Sequence, residues 1–295
     1  MMNINFDFNL FNNSYFFYEK ILVAIISLIP TLLLVKYVLY TDRKSKEPTK
    51  NIAICLLSGI LTIALARYFE LTTLKYVSNN VLSTYVFAFI EEISKMFIFY
   101  LFVFDNKHYD DIYDGVVYMA LIALSFAGLE NIMYAFTENT VIDSIVLSIM
   151  RDFTSIPLHV ICGIVIGYFL SIGYFSKDKS KKYINYVCAI LMPTIMHGTY
   201  NMLMDILGSL EFTSSLAVMC FETIPLILIM AGLFFIANRF INKTVKLNNT
   251  FINNGIYDKK YDYLMNKKEY MGSKLKEKRI IFYEKTNFNK DKDDD

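Results

Sequence analysis

Seven apolar stretches dominate the chain and limit most strongly what it can fold into. They lie at residues 18–40, 51–69, 81–104, 112–136, 143–175, 183–206 and 212–240. A helix of about twenty apolar residues crosses a hydrocarbon core of about 30 Å. The chain is also 55% hydrophobic and only 19% charged, with a mean hydropathy of +0.38, which is too apolar for a soluble domain of 295 residues. The sequence therefore predicts an all-α, polytopic transmembrane bundle of about seven spans.

The fifth stretch, residues 143–175, is too long for one straight span and contains Pro157. A proline inside a helix removes a backbone hydrogen bond and bends or breaks the helix. We therefore expect a kink there, or a shallow helix that leads into the span proper, and eight crossings is the alternative count. The first stretch has span length and is followed by basic residues, so we expect it to act as an anchor and not as a cleaved signal peptide.

Basic residues gather in alternate loops and predict the orientation. The three basic groups run from Arg43 to Lys50, from Lys177 to Lys182 and from Arg239 to Lys246. The intervening loops lie near 70–80, 137–143 and 206–212, and Lys75 is the only lysine or arginine in them. Because loops rich in lysine and arginine stay on the cytoplasmic side, we predict a multi-pass protein of the cell membrane with its N-terminus outside and its C-terminus in the cytoplasm.

Composition divides the chain at residue 241. Residues 1–241 contain all the apolar stretches and form the predicted transmembrane domain. Residues 242–295 are rich in Lys, Asn, Asp and Tyr and lack apolar periodicity, which predicts a polar cytoplasmic tail. The lipid bilayer is therefore an expected partner, and with a net charge of +1 we expect no nucleic-acid partner. The sequence leaves the oligomeric state open.

Two adjacent glutamates, Glu91 and Glu92, lie within the third apolar stretch, and Lys95 follows one turn later. A carboxylate at membrane depth costs a few kcal/mol even on the mildest insertion scales, so such residues usually have a function. The spacings i,i+3 and i,i+4 allow Lys95 to neutralise one of the two carboxylates. The other carboxylate is then suited to accept a proton from water.

Other polar residues lie at matching depths in three further stretches. They are Glu130 and Asn131 in the fourth, Arg151 and His159 in the fifth, and His197 and Asn201 in the sixth. On the predicted topology, four helices bring ionisable groups together in the outer half of the bilayer. His197 and Asn201 share a helix face and supply donors that can stabilise an oxyanion. This combination of groups suits hydrolysis.

The order of these motifs resembles a known family. The motifs are Glu91-Glu92-x-x-Lys95, Asp114-Gly115-x-x-Tyr118, Phe126-Ala-Gly-Leu-Glu130-Asn131, Arg151 with Pro157-x-His159, and His197-Gly-x-Tyr-Asn201. Together they resemble the PrsW family of glutamic-type intramembrane proteases, which are distant relatives of the CAAX-prenyl endopeptidases. The resemblance covers residues 85–205, the motif core of the predicted protease domain 1–241. The CAAX enzymes carry a histidine where Glu130 stands, and this chain follows the PrsW pattern.

The resemblance implies a glutamate-dependent membrane endopeptidase. The best-known members of that family cut a single-span anti-sigma factor on its extracytoplasmic side, the site-1 cleavage of a stress response, so a single-pass membrane protein is the expected substrate. The implied catalytic residues are Glu91, Glu92, Glu130 and His197. The implied supporting residues are Lys95, Asn131, Arg151, His159 and Asn201. No cofactor is expected, and Glu130 can act on water, position His197 or complete a charge network.

Two other functions remain open on the sequence. The first is zinc-dependent hydrolysis with His159, His197 and Glu130 as ligands, because two histidines and a carboxylate suit zinc although the chain has no HExxH motif. The second is a proton-coupled transporter or sensor, because buried Glu, His and Lys also form proton relays. A transporter usually shows inverted repeats and helices broken at the midplane, and the sequence shows neither.

Overall fold

The structure, a computed structural model, describes residues 17–41, 47–77, 81–176, 178–209, 228 and 231–247. These residues form helices joined by short turns, and no strand occurs among them. The helices are α1 (Phe17–Thr41), α2 (Thr49–Thr73), α3 (Val81–Phe102), α4 (Ile112–Ala135), α5 (Val141–Phe153), α6 (Ser155–Phe175), α7 (Lys179–Ser209) and α8 (231–247). The predicted all-α, polytopic fold is confirmed.

The helices coincide with the apolar stretches wherever both are described. Among the described residues, four segments are long and apolar enough to cross a membrane, namely α1, α2, α4 and the segment Val141–Phe175 formed by α5 and α6. Helix α3 also has span length, but its apolar run is interrupted by Glu91, Glu92 and Lys95. Most of the seventh predicted span, 212–240, lies outside the described residues, as does nearly all of the predicted tail, 242–295.

The long fifth stretch is broken into α5 and α6 at Thr154, whose φ of −122° and ψ of −67° are not helical. Pro157 lies in the first turn of α6, where a missing N–H leaves no helical hydrogen bond unmade. The break therefore precedes the proline by three residues. As a consequence, Arg151 and His159 belong to two helices and not to one continuous face.

Helix α5 is polar inside and apolar outside, the reverse of a helix on a soluble protein. Its buried residues are Ser144, Ser148 and Asp152. Its large exposed residues are Ile142, Val146, Ile149, Met150 and Phe153. Such a pattern is expected where the outer surface meets lipid and the inner surface makes interhelical hydrogen bonds.

Helix α4 lies at the centre, and α1, α2, α3, α5 and α6 all pack against it. It approaches α6 most closely at glycines: a Cβ atom on Gly167 would overlap the backbone of Gly115 and Val116, and one on Gly163 would overlap Ala123. Small residues of this kind let membrane helices come into backbone contact. Helix α3 packs against α2, α4 and α7, and α7 in turn packs against α6. The charged face of α3 is thereby enclosed by its neighbours.

Candidate active site

Glu92 is the most tightly held carboxylate in the enclosed region. Lys95 Nζ donates a hydrogen bond to Glu92 Oε1 at 2.7 Å, and His197 Nδ1 donates to the same oxygen at 2.7 Å. All three side chains are at least 97% buried. Because Nδ1 of His197 faces Glu92, its Nε2 is directed towards Glu91. Glu92 thus fixes the ring of a histidine that comes from another helix.

Glu91 is held far more loosely than its neighbour. Its Oε2 lies 3.9 Å from Lys95 Nζ and 3.9 Å from His197 Nε2, which is too long for direct hydrogen bonds. This oxygen is buried and has no hydrogen-bond partner among the described residues. Glu91 therefore keeps an acceptor that faces the histidine.

His159 is held between Lys95 and Glu130. The Lys95 ammonium group has only donors, so it donates to His159 Nδ1 at 2.9 Å, and the opposite ring nitrogen, Nε2, donates to Glu130 Oε2 at 3.0 Å. Arg151 Nη2 donates to the same Glu130 oxygen at 2.7 Å. Glu130 therefore contacts His159 and Arg151, and it does not contact His197. Of the three roles left open by the sequence, these contacts favour completion of a charge network, with Arg151 and His159, over positioning of His197.

Aromatic contacts pack the cluster from one side. The Lys95 ammonium group lies 4.3 Å from the centroid of the Phe126 ring, a cation–π distance. The Phe126 ring packs edge-on against His159, and the His159 ring packs edge-on against His197 at 4.8 Å. Helices α3, α4, α6 and α7 are thus joined around one buried, charged centre.

Among the described residues, neither of the two asparagines makes a hydrogen bond to this centre. Asn131 Nδ2 donates to Asp152 Oδ1 at 2.9 Å, between α4 and α5. Asn201 lies one turn beyond His197 on α7 and is partly exposed. Within the described part of the chain, no hydrogen bond joins Asn201 to the cluster. The geometry thus gives Asn131 an interhelical contact.

The Asp114-Gly115-x-x-Tyr118 motif has a structural role at the start of α4. Asp114 and Asp111 form a reciprocal capping box there. Gly115 allows the close approach of α6 described above. The Tyr118 hydroxyl donates to Glu47 and accepts from Asn51 at 3.0 Å. The motif therefore fixes the N-terminal end of α4, whereas Glu130 lies near the C-terminal end of the same helix.

Sequence reasoning missed a charged pair on α2. Arg67 Nη1 donates to Glu70 Oε2 at 2.8 Å, and the Arg67 guanidinium lies 6.0 Å from the centroid of the Tyr134 ring. The only signal in the sequence was an arginine and a glutamate one turn apart near the end of an apolar stretch. Ordinary residues that extend towards the membrane surface give the same signal.

A family model described as "PrsW family intramembrane metalloprotease" matches residues 47–233 of the chain. This range is more than half of the chain and contains every residue of the cluster. The chain belongs to the PrsW family. The predicted resemblance is confirmed, and this PrsW-family protein is a membrane-embedded peptidase.

Curated relatives agree with this membership. The chain is 30% identical over 187 residues to Protease PrsW of Oceanobacillus iheyensis, covering 62% of this chain and 82% of that protein. It is 28% identical over 197 residues to Protease PrsW of Bacillus subtilis, with coverages of 63% and 85%. It is also 28% identical over 193 residues to Protease PrsW of Clostridioides difficile, with coverages of 63% and 81%. No solved structure matches the chain.

The family description names a metalloprotease, and the donor atoms of this PrsW-family protein fit a metal ion. One donor atom each from Glu91, Glu92, His159 and His197 lies within 4.8 Å of the others. Two imidazoles with carboxylates suit zinc, and a carboxylate such as Glu130 often supports a ligating histidine. The set contains both histidines of the predicted zinc site, with Glu91 and Glu92 in place of Glu130. However, Lys95 Nζ donates hydrogen bonds to two of these four residues, Glu92 and His159. A metal ion and the ammonium group would therefore compete for the same carboxylate oxygen and ring nitrogen.

Proposed function

We propose that this PrsW-family intramembrane endopeptidase hydrolyses a peptide bond of its substrate, and that the reaction takes place between the side chains of Glu91 and His197. The observation that carries the proposal is the buried, unpartnered Glu91 Oε2 facing His197 Nε2 across 3.9 Å. A water molecule bound beside both atoms would have an acceptor on one side and a donor on the other. Glu92 fixes the His197 ring by accepting a hydrogen bond from Nδ1, and Lys95 fixes Glu92 by donating to the same carboxylate oxygen.

The proposed chemistry needs one proton acceptor and one donor. Glu91 takes a proton from water, and the resulting hydroxide forms a bond to the carbonyl carbon of the scissile peptide. The carbonyl oxygen becomes an oxyanion, which accepts a hydrogen bond from His197 Nε2 when both ring nitrogens are protonated. The carbon–nitrogen bond then breaks, and the proton on Glu91 passes to the leaving amine. In that state two cations, Lys95 and His197, balance the two carboxylates.

The remaining residues support this centre in the proposal. Glu130 orients His159 through the hydrogen bond at 3.0 Å, and Arg151 balances the charge of Glu130. His159 in turn accepts from Lys95 and keeps the ammonium group beside Glu92. Asn201, one turn after His197, is the proposed second donor to the oxyanion. Asn131 supports the site only by packing α5 against α4.

We further propose that the substrate is a single-pass membrane protein, an anti-sigma factor cut on its extracytoplasmic side. The depth of the cluster supports this side: Glu91 lies ten residues after the start of α3, and Glu130 lies five residues before the end of α4. These helix ends adjoin the loops that are poor in lysine and arginine and are predicted to face outwards.

A comparison of membrane proteomes tests the substrate. Cells with the wild-type protein, cells without it and cells with Glu91→Gln are compared for single-pass proteins that lose their extracytoplasmic part. We expect one anti-sigma factor to be shed in the wild type alone. Shedding that continues in Glu91→Gln cells would contradict the proposed chemistry, and a shed protein of another class would contradict the anti-sigma assignment.

Metal-dependent hydrolysis is the second candidate, and the four clustered donors favour it. A divalent ion held by Glu91, Glu92, His159 and His197 would polarise the scissile carbonyl and lower the cost of deprotonating water. Our proposal instead keeps Lys95 as the resident cation, because its ammonium group already contacts Glu92 and His159. Elemental analysis of the purified protein decides between them. One tightly bound zinc per chain that is lost in His197→Ala, together with loss of cleavage on chelation, would establish the metal mechanism.

A further inference from the structure

The break between α5 and α6 separates two side chains that bind the same oxygen atom. Arg151, three residues before Thr154, donates to Glu130 Oε2 at 2.7 Å. His159, five residues after Thr154, contacts the same oxygen through Nε2 at 3.0 Å. Because no continuous helix joins the two donors, their meeting on one atom depends on the angle between α5 and α6. The conformation at Thr154 therefore affects the geometry of the site.

The backbone hydrogen bonds at the break are long. The Thr154 N–H donates to the Arg151 carbonyl at 3.3 Å, and the Leu158 N–H donates to the Thr154 carbonyl at 3.2 Å. Backbone hydrogen bonds in proteins are usually about 2.9–3.0 Å long. Bonds of this length fix the angle between α5 and α6 only loosely, so a side-chain contact at the break has a larger share in setting it.

Tyr200 of α7 supplies such a contact. Its hydroxyl donates to Thr154 Oγ1 at 2.9 Å, and Thr154 Oγ1 in turn donates to the Met150 carbonyl at 2.8 Å. The Tyr200 side chain is only 5% exposed. It lies three residues after His197 in the same sequence motif, and the proposed mechanism gives it no part. The hydrogen bond therefore connects the helix that carries His197 to the point where α5 and α6 meet.

We propose that the Tyr200 hydroxyl sets the angle between α5 and α6, so that Arg151 and His159 bind one carboxylate oxygen together. That oxygen is Oε2 of Glu130. Tyr200 is a positioning residue, because it acts through Thr154 and not on the substrate. The inference rests on the proposed function, in which Glu130 orients His159. Without the hydroxyl, α5 can rotate about the break and withdraw Arg151 from Glu130.

Two other roles of Tyr200 would have different consequences. If its hydroxyl donates to the substrate, Thr154→Val leaves kcat unchanged, whereas Tyr200→Phe lowers it. If the hydrogen bond only stabilises the fold, Tyr200→Phe lowers Tm and leaves the kcat of the folded protein unchanged. If the hydroxyl positions the break, both substitutions lower kcat by the same factor, and the double variant loses no more than either single variant.

The experiment uses the full-length protein in liposomes, with the single-pass protein found in the proteome comparison as substrate, and measures kcat, KM and Tm. Tyr200→Phe and Thr154→Val should each lower kcat by about tenfold, the effect of losing one neutral hydrogen bond. KM should change by less than about twofold. Thr154→Ser keeps the acceptor and should cleave as the wild type does. Tyr186→Phe is the matched control, because the Tyr186 hydroxyl is also buried on α7 and has no hydrogen-bond partner among the described residues.

Two further measurements locate the effect. Amide hydrogen exchange in residues 150–159 should become faster in Tyr200→Phe and stay unchanged in Tyr186→Phe, because only the first change loosens the break. In Arg151→Gln protein, adding Tyr200→Phe should cause no further loss of kcat, since both changes act on one contact. These two measurements decide the question even where Thr154→Val does not fold.

Several outcomes would overturn the inference. They are wild-type kcat in Tyr200→Phe, with or without a lower Tm, wild-type kcat in folded Thr154→Val, and unchanged hydrogen exchange at the break in Tyr200→Phe. A further tenfold loss when Tyr200→Phe is added to Arg151→Gln would overturn it as well. Wild-type kcat in Glu91→Gln would instead refute the proposed function, and the hydrogen-exchange result does not depend on that outcome.

Discussion

Neighbouring glutamates on one helix make different contacts with the residues around them. Glu92 Oε1 accepts hydrogen bonds from Lys95 on its own helix and from His197 on α7. Glu91 points to the same histidine but approaches it only to 3.9 Å. A carboxylate that already accepts two hydrogen bonds is a poor base towards water, whereas an unpartnered one is a good base. In the proposed mechanism, Glu92 therefore orients His197, and Glu91 accepts the proton from water.

Asn131 provides a prediction at the residue scale. Its amide donates to Asp152, so Asn131→Ala leaves a buried carboxylate without that donor. The variant should lose about 1–3 kcal/mol of stability and keep kcat within about twofold, since Asn131 touches neither Glu91 nor His197. Thermal unfolding in detergent and a cleavage assay measure the two effects. A large fall in kcat at unchanged Tm would place Asn131 in the chemistry instead.

The sequence predicted more of the cluster's membership than of its contacts. Glu91, Glu92 and Lys95 stand out because three charges interrupt an apolar run, and His159 and His197 because histidine is rare in this chain. Spacing along one helix cannot show which side chains meet between helices. Asn131 and Glu130 are adjacent in sequence, yet Asn131 contacts Asp152 on α5, whereas Glu130 contacts Arg151 on α5 and His159 on α6. Only the packing of α4 separates their roles.

At the scale of helices, close approach of α4 and α6 sets the position of His159 relative to Glu130. Gly115, Gly163 and Gly167 permit this approach because a Cβ atom at each would meet the neighbouring helix. Hydropathy predicted both helices but could not reveal which glycines lie at a crossing. The sequence predicted the break at Thr154 as a kink near Pro157 or as a shallow helix that leads into the span, and it could not locate the break itself. The inward face of α2 was not predicted at all.

Gly167→Ala tests this crossing. The added methyl group meets the backbone of Gly115 and Val116, which cannot move away as a flexible side chain can. We expect a loss of about 1–3 kcal/mol, typical of overpacking, and a fall in turnover as Glu130 and His159 move apart. Gly232→Ala on α8 is the matched control, because nothing lies within 4 Å of its added Cβ atom. Equal melting temperatures for the two variants would contradict the described crossing.

At the scale of the whole molecule, the site lies within one half of the helical bundle. Arg67 lies six residues before the end of α2, Glu91 ten residues after the start of α3, and His159 four residues after the start of α6. These ends adjoin loops with few basic residues. The site therefore lies in the outer half of the bundle if the loops rich in lysine and arginine are cytoplasmic.

Reporter fusions test this orientation. A reporter fused after Lys182, or to the tail, should be active in the cytoplasm, because these positions lie in basic segments. A reporter fused after Lys75 or Glu138 should be active outside. Protease digestion of a tagged tail in intact cells gives an independent measurement. A tail that is digested from outside would reverse the orientation and the predicted side of cleavage.

Cleavage by the purified protein in liposomes tests the central claim most directly. Glu91→Gln and Glu92→Gln should each reduce kcat by about a hundredfold or more, the first because the base is lost and the second because His197 loses its partner. Both variants should insert into the membrane as the wild type does. Glu138→Gln, a carboxylate in the loop after α4, is the control and should cleave normally. Wild-type kcat in both Glu91→Gln and Glu92→Gln would contradict the account.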